Sequence, residues 1–131
     1  MTTYHLNIEI LESTYCVCKG LPTVLIQDLS NKSSFFSFTK TTDEFSVVCE
    51  QHLISDYLKV TCEKDWKILK ILGPLEFTLV GILSNISSLL AEANISLFTI
   101  STYDTDYILV KEASLLQAVH VLEKAGHTIK N

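Results

Sequence analysis

The order of apolar patterns after Trp66 most constrains what this chain can become. Trp66 to Leu72 reads as a strand and stops at Gly73-Pro74. Leu79, Ile82, Leu83, Ile86, Leu89, Leu90 and Ala93 then fall on one face of a helix, with Pro74 on entry and Asn94 as the closing residue. Two strand-like runs follow, Ile95 to Thr102 and Asp106 to Val110, around the polar centre Tyr103-Asp104-Thr105-Asp106. A second stripe, Leu115, Ala118, Val119, Leu122 and Ala125, marks a helix over about 113–125 that Gly126 ends, and Thr128-Ile129-Lys130 is a short last strand. Strand, helix, strand, strand, helix, strand is the split βαβ order. It predicts an α+β, ferredoxin-like (βαββαβ) fold.

The first half carries a weaker copy of the same unit. Leu6, Ile8 and Ile10 alternate with polar residues as a half-buried strand does. Gly20 and Pro22 interrupt 14–31, so no long helix fits there. Phe35 to Thr39 and Phe45 to Cys49 read as a hairpin about Lys40 to Glu44, and 50–64 has helical potential without a clean stripe. A shift of 62 residues lays Phe36 to Thr39 on Phe98 to Ser101 and Asp43 to Val48 on Thr105 to Val110, with ten of the sixteen positions from Phe35 to Glu50 keeping their class. Two modules in tandem follow, 1–62 degenerate and 63–131 complete, sharing a sheet of about eight strands.

Charge and composition exclude several functions. Apolar residues make up 47% and charged residues 19% of the 131, which is the balance of a folded domain. Net charge is −5 and every basic side chain is Lys, so the basic face that nucleic acid requires is missing. No apolar run approaches the roughly 20 residues of a bilayer span, and Met1 to His5 has none of the marks of a secretory signal; a cytoplasmic location is expected. Cys16, Cys18, Cys49 and Cys62 contain no Cys-x-x-Cys pair, and His5, His52, His120 and His127 form no ligand motif. Structural thiols, no metal and no cofactor are the expectation. Nothing follows the order of a catalytic triad or a phosphate loop, so the chain is expected not to be an enzyme.

The polar hairpin end and the helix start draw attention as a pair. Ser101, Thr102, Tyr103, Asp104, Thr105 and Asp106 gather hydroxyls and two carboxylates in six residues. Gly81 falls in the first turn of the helix, where glycine costs about 1 kcal/mol relative to Ala. Close packing against a strand would account for it. So would a ligand that approaches the first-turn N–H groups.

Three stretches carry a resemblance: Gly-Pro-Leu-Glu-Phe-Thr-Leu-Val-Gly-Ile-Leu at 73–83, Ala-Asn-Ile-Ser-Leu-Phe-Thr-Ile-Ser-Thr-Tyr-Asp-Thr-Asp-Tyr-Ile-Leu-Val at 93–110, and Ala-Val-x-x-Leu-x-x-Ala-Gly-His at 118–127. They resemble stand-alone ACT-domain proteins, in the subfamily related to the paired ACT modules of animal arginine sensors. Phe35 to Val48 with Trp66 resembles the degenerate first module of such proteins. The resemblance implies a small regulatory protein whose amino-acid ligand sits at a module interface. One wall would be Leu75, Glu76, Phe77, Thr78, Leu79, Val80, Gly81 and Ile82. The other would be Ser101, Thr102, Tyr103 and Asp106, with Asp104 as turn-former. Helix-start N–H groups suit an α-carboxylate, and Asp106 or Glu76 suits an α-ammonium. Arginine-sensing relatives carry an acidic residue where this chain has Leu79, so arginine is not carried over as the ligand. ACT modules expose sheet edges, which implies a homodimer. The alternative is a ligand-free ACT interaction module that acts on a partner protein.

Overall fold

The computed structural model describes residues 5–54, 60–72 and 81–131. Among them the chain forms strands β1 (Asn7–Ile10), β2 (Tyr15–Lys19), β3 (Ser37–Lys40), β4 (Phe45–Glu50), β5 (Thr61–Ile71), β6 (Leu97–Ser101), β7 (Asp106–Lys111) and β8 (Thr128–Lys130). The helices are α1 (Ile26–Lys32), α2 (Ile82–Glu92) and α3 (Leu115–Lys124). The elements fall into two compact units. One is continuous, residues 13–66; the other joins residues up to Glu12 to residues 67–131.

In the continuous unit the strand order is β3-β4-β2-β5, antiparallel throughout, with only the first half of β5 taking part. This is the four-strand order of a ferredoxin-like module. Its first helix is the short α1 after a 3₁₀ turn at Thr23–Leu25, and at the place of its second the described residues form the 3₁₀ turn Gln51–Leu53. The interruption expected from Gly20 and Pro22 is therefore present, and β2 precedes it. Cys16, Cys18, Leu21, Leu29, Val47 and Cys49 form the core.

The discontinuous unit contains β5-α2-β6-β7-α3-β8, the order expected from the sequence. One feature is added. β1 lies between β5 and β8, antiparallel to the former through Ile8↔Ile71 and parallel to the latter through Ile8↔Ile129. β7 pairs with β5 and β6. Ile8, Leu69, Ile71, Ile108 and Val110 from the sheet meet Ile82, Ile86, Leu90, Ala118 and Leu122 from the helices, all buried. Of the predicted α2 stripe, Ile82, Ile86 and Leu90 are buried, Leu83, Leu89 and Ala93 are half-buried, and Leu79 lies outside the described residues. Gly81 sits at the N-cap at φ 88°, one position before the first helical turn, and Asn94 takes φ 60° just past the C-terminus. Ala cannot hold such angles cheaply, which explains the two residue types.

The hairpins repeat, but at 61 residues and not at the 62 read from the sequence. The pairs nearest the turns are Lys40↔Phe45 and Ser101↔Asp106. The buried runs are Val47-Val48-Cys49 and Ile108-Leu109-Val110. Even the turn bonds match: Thr41 N–H donates to the Glu44 carbonyl at 2.8 Å, and Thr102 N–H to the Thr105 carbonyl at 2.8 Å. With apolar residues on both faces of each strand, two registers one residue apart score alike on class alone.

Candidate functional site

Glu76, Phe77, Thr78, Leu79 and Val80, with Leu75, lie outside the described residues. Of the helix-start wall, Gly81 and Ile82 are described. Gly81 has no side chain to cap the helix, no acidic residue occupies the first turn of α2, and the Gly81 carbonyl accepts from Asn85 N–H at 2.8 Å. Ile82 is 6% exposed and belongs to the core, so its role is packing.

The opposite wall is a tightly bonded tip. Ser101 Oγ donates to Asp106 Oδ1. Thr102 Oγ1 donates to the Thr105 carbonyl at 3.1 Å and accepts from Thr105 N–H at 3.4 Å. Tyr103 projects outward, 82% exposed. Thr105 is buried, and its hydroxyl donates to the Ile71 carbonyl at 2.5 Å. That bond ties the tip to the end of β5, and sequence reasoning, which counted the Thr105 hydroxyl among the polar groups of the tip, missed it.

The continuous unit holds a described depression beside its own hairpin tip. Sixty-one residues before Gly81 stands Gly20, also left-handed at φ 82°. In the continuous unit Lys19, Gly20 and Lys40 to Phe45 line one depression of about 350 Å³. A left-handed glycine after the first strand and the tip of the hairpin thus face a common space. Here Lys19 Nζ and Glu44 Oε2 lie 3.7 Å apart across it. The 61-residue shift carries these wall positions onto Val80, Gly81 and Ser101 to Asp106, the segments singled out from the sequence.

Two buried polar groups also escaped the sequence reading. His127 is 4% exposed; its Nδ1 accepts Leu6 N–H at 3.1 Å and its Nε2–H donates to Asn85 Oδ1 at 3.2 Å. Burial, then the neighbouring His5, holds its pKa below the ordinary imidazole value. Glu50 accepts from Ser13 Oγ at 2.6 Å and from Ser34 N–H at 2.9 Å, and the Ser13 bond leads the causes that lower its carboxyl pKa. The cysteines, far apart in sequence, come together: Cys16 registers on Cys49 and Cys18 on Cys62 across three adjacent strands. Cys18 and Cys62 are joined as a disulfide.

Comparison with known proteins identifies the fold's family. The family model described as ACT domain matches residues 61–124. Residues 61–124 are thus similar to ACT domains. A second family model, for an N-terminal domain, matches 13–57, within the continuous unit. The Bos taurus protein "Cytosolic arginine sensor for mTORC1 subunit 1" is 28% identical over 104 residues, covering 72% of this chain and 31% of that protein. The chain thus spans about a third of that relative's length. A crystal structure of an Agobacterium tumefaciens protein is 27% identical with a TM-score of 0.85, covering 98% of this chain and 96% of that one. The ligand-free regulatory subunit of Thermus thermophilus aspartate kinase, 7% identical, shares the fold at a TM-score of 0.66 over 90% of this chain and 95% of its own. The ACT fold, in two ferredoxin-like modules, agrees with the fold class expected from the sequence. Among the described residues no helix is long and apolar enough to cross a membrane.

Proposed function

We propose that this ACT protein is a regulatory amino-acid-binding protein without catalytic activity of its own. The ligand is held between the 75–82 segment and strand residues 100–106. What supports this reading is the depression between Gly20 and the Lys40–Phe45 tip, together with a second left-handed glycine, Gly81, and a second hairpin tip, Ser101 to Asp106, each 61 residues further along the sequence. N–H groups at the uncapped start of α2 suit the α-carboxylate, and Asp106 or Glu76 the α-ammonium. The sequence modules are 1–62 and 63–131, the location is the cytoplasm, in keeping with the "Cytosolic" of the sensor's name, and homodimers form through sheet edges.

A panel of the common amino acids, screened by thermal shift on ligand-free protein, tests the reading. A ligand at 100 times its Kd stabilises by about 2.7 kcal/mol, which raises Tm by roughly 10 °C at this chain length. Asp106→Asn should abolish the shift. A flat screen overturns the reading and leaves the second one, a ligand-free interaction module acting on a partner protein. The Ser101–Asp106 bond favours that alternative, since it satisfies the tip from within.

A further inference from the structure

All four cysteines of the chain converge in the core of the 13–66 unit. Alternation on β2 turns Cys16 and Cys18 to one face, β4 brings Cys49 opposite Cys16, and β5 brings Cys62 opposite Cys18. The sulfurs of Cys16, Cys18 and Cys62 all lie within 4.8 Å of one another, with Cys16 and Cys18 at 3.5 Å. Sulfurs bound tetrahedrally at a zinc–thiolate distance of about 2.3 Å stand about 3.8 Å apart. The Cys16–Cys18 pair stands near that spacing, and reduction of the Cys18–Cys62 disulfide frees the third sulfur beside it.

Cys16, Cys18 and Cys49 are buried, whereas Cys62 is only half-buried and opens the cluster to solvent.

We propose that the reduced chain binds one thiophilic d10 cation, zinc(II) or copper(I), through Cys16, Cys18 and Cys62. Soft sulfur ligands select such ions. Loading begins from the disulfide form. A dithiol reduces the Cys18–Cys62 bond with two electrons and two protons and is itself oxidised to a disulfide. The cation then displaces the protons of the three ligand thiols. Oxidation and metal binding are therefore mutually exclusive states of one cluster.

The test uses the full chain, reduced with a phosphine under anaerobic conditions, and offered zinc(II) in one arm and copper(I) in the other. One equivalent per chain is expected by native mass spectrometry in at least one arm, with alkylation of the half-buried Cys62 blocked by the bound cation. The disulfide form should bind none. Cys18→Ser should abolish binding. Protection of Cys62 is read on the unmutated chain, so it stands if a variant fails to fold. No bound cation in either arm overturns the proposal, as does equal binding by reduced and disulfide forms, or alkylation of Cys62 that the cation leaves unchanged.

Discussion

Stability should fall on mild acidification, and His127 should be the reason. Its Nδ1 is an acceptor for Leu6 N–H and its Nε2–H a donor to Asn85 Oδ1, so the neutral tautomer joins the β1 approach, α2 and the chain entering β8. A proton on Nδ1 would face the Leu6 N–H with another N–H. The folded-state pKa lies below the unfolded one, near 6.5. The unfolded chain thus takes up the proton first, and stability present above pH 6.5 is lost as pH falls below it. One proton gives a slope of at most about 1.4 kcal/mol per pH unit, and an unprotonated folded state would lose about 1.4 kcal/mol by pH 5.5. His127→Gln does not titrate. It should lower stability at pH 7.5 by about 1–2 kcal/mol through the disturbed Leu6 and Asn85 bonds, and it should lack this part of the slope. Urea unfolding of both proteins between pH 5.5 and 7.5 measures the difference, and the gap between them should narrow as pH falls. A gap that stays constant or widens on acidification would refute the argument.

Three further outcomes are expected. Glu50→Gln should cost about 1–2 kcal/mol in chemical denaturation, because the carboxylate accepts from Ser13 and Ser34. Since the folded pKa of Glu50 is lowered from 4.5, its contribution is present above that pH and fades as pH falls through the folded value; the Gln variant should not show that loss. Gly20→Ala meets nothing within 4 Å of the added carbon, so its cost, about 1 kcal/mol by thermal melt, is the left-handed backbone alone. Ile86→Ala, at a fully buried position on α2, should lose about 2–5 kcal/mol and report whether that stripe is the main core.

Periodic elements were readable from the residues because burial on one face leaves a period. The α2 stripe, both hairpins, the Gly126 stop and the last strand came through in this way. β2 did not, since Tyr15, Cys16, Val17 and Cys18 are apolar on both faces and show no alternation. The first half of β5, Thr-Cys-Glu-Lys-Asp, is mostly polar and exposed, so only its continuation from Trp66 had a strand's signature. The strand offset erred by one for the same two-faced reason. Long-range chemistry was invisible in spacing: the thiols meet across three strands, and His127 meets Leu6 across 121 residues. At the candidate site, residue types pointed to Gly81 and the tip. The internal bonding of Ser101 to Asp106 required coordinates.

The place of β1 between β5 and β8 sets an order of assembly. On a ribosome, residues 7–10 emerge well before their partners 69–71 and 128–130. The 13–66 unit, contiguous in sequence, has every strand of its own long before residue 128 is made. Among the described residues the β1–β8 closure is the most non-local pairing and carries the largest loop entropy. Residues 128–130 therefore seal a seam that residues 7–10 open, and a chain halted short of residue 128 leaves one edge of β1 unpaired.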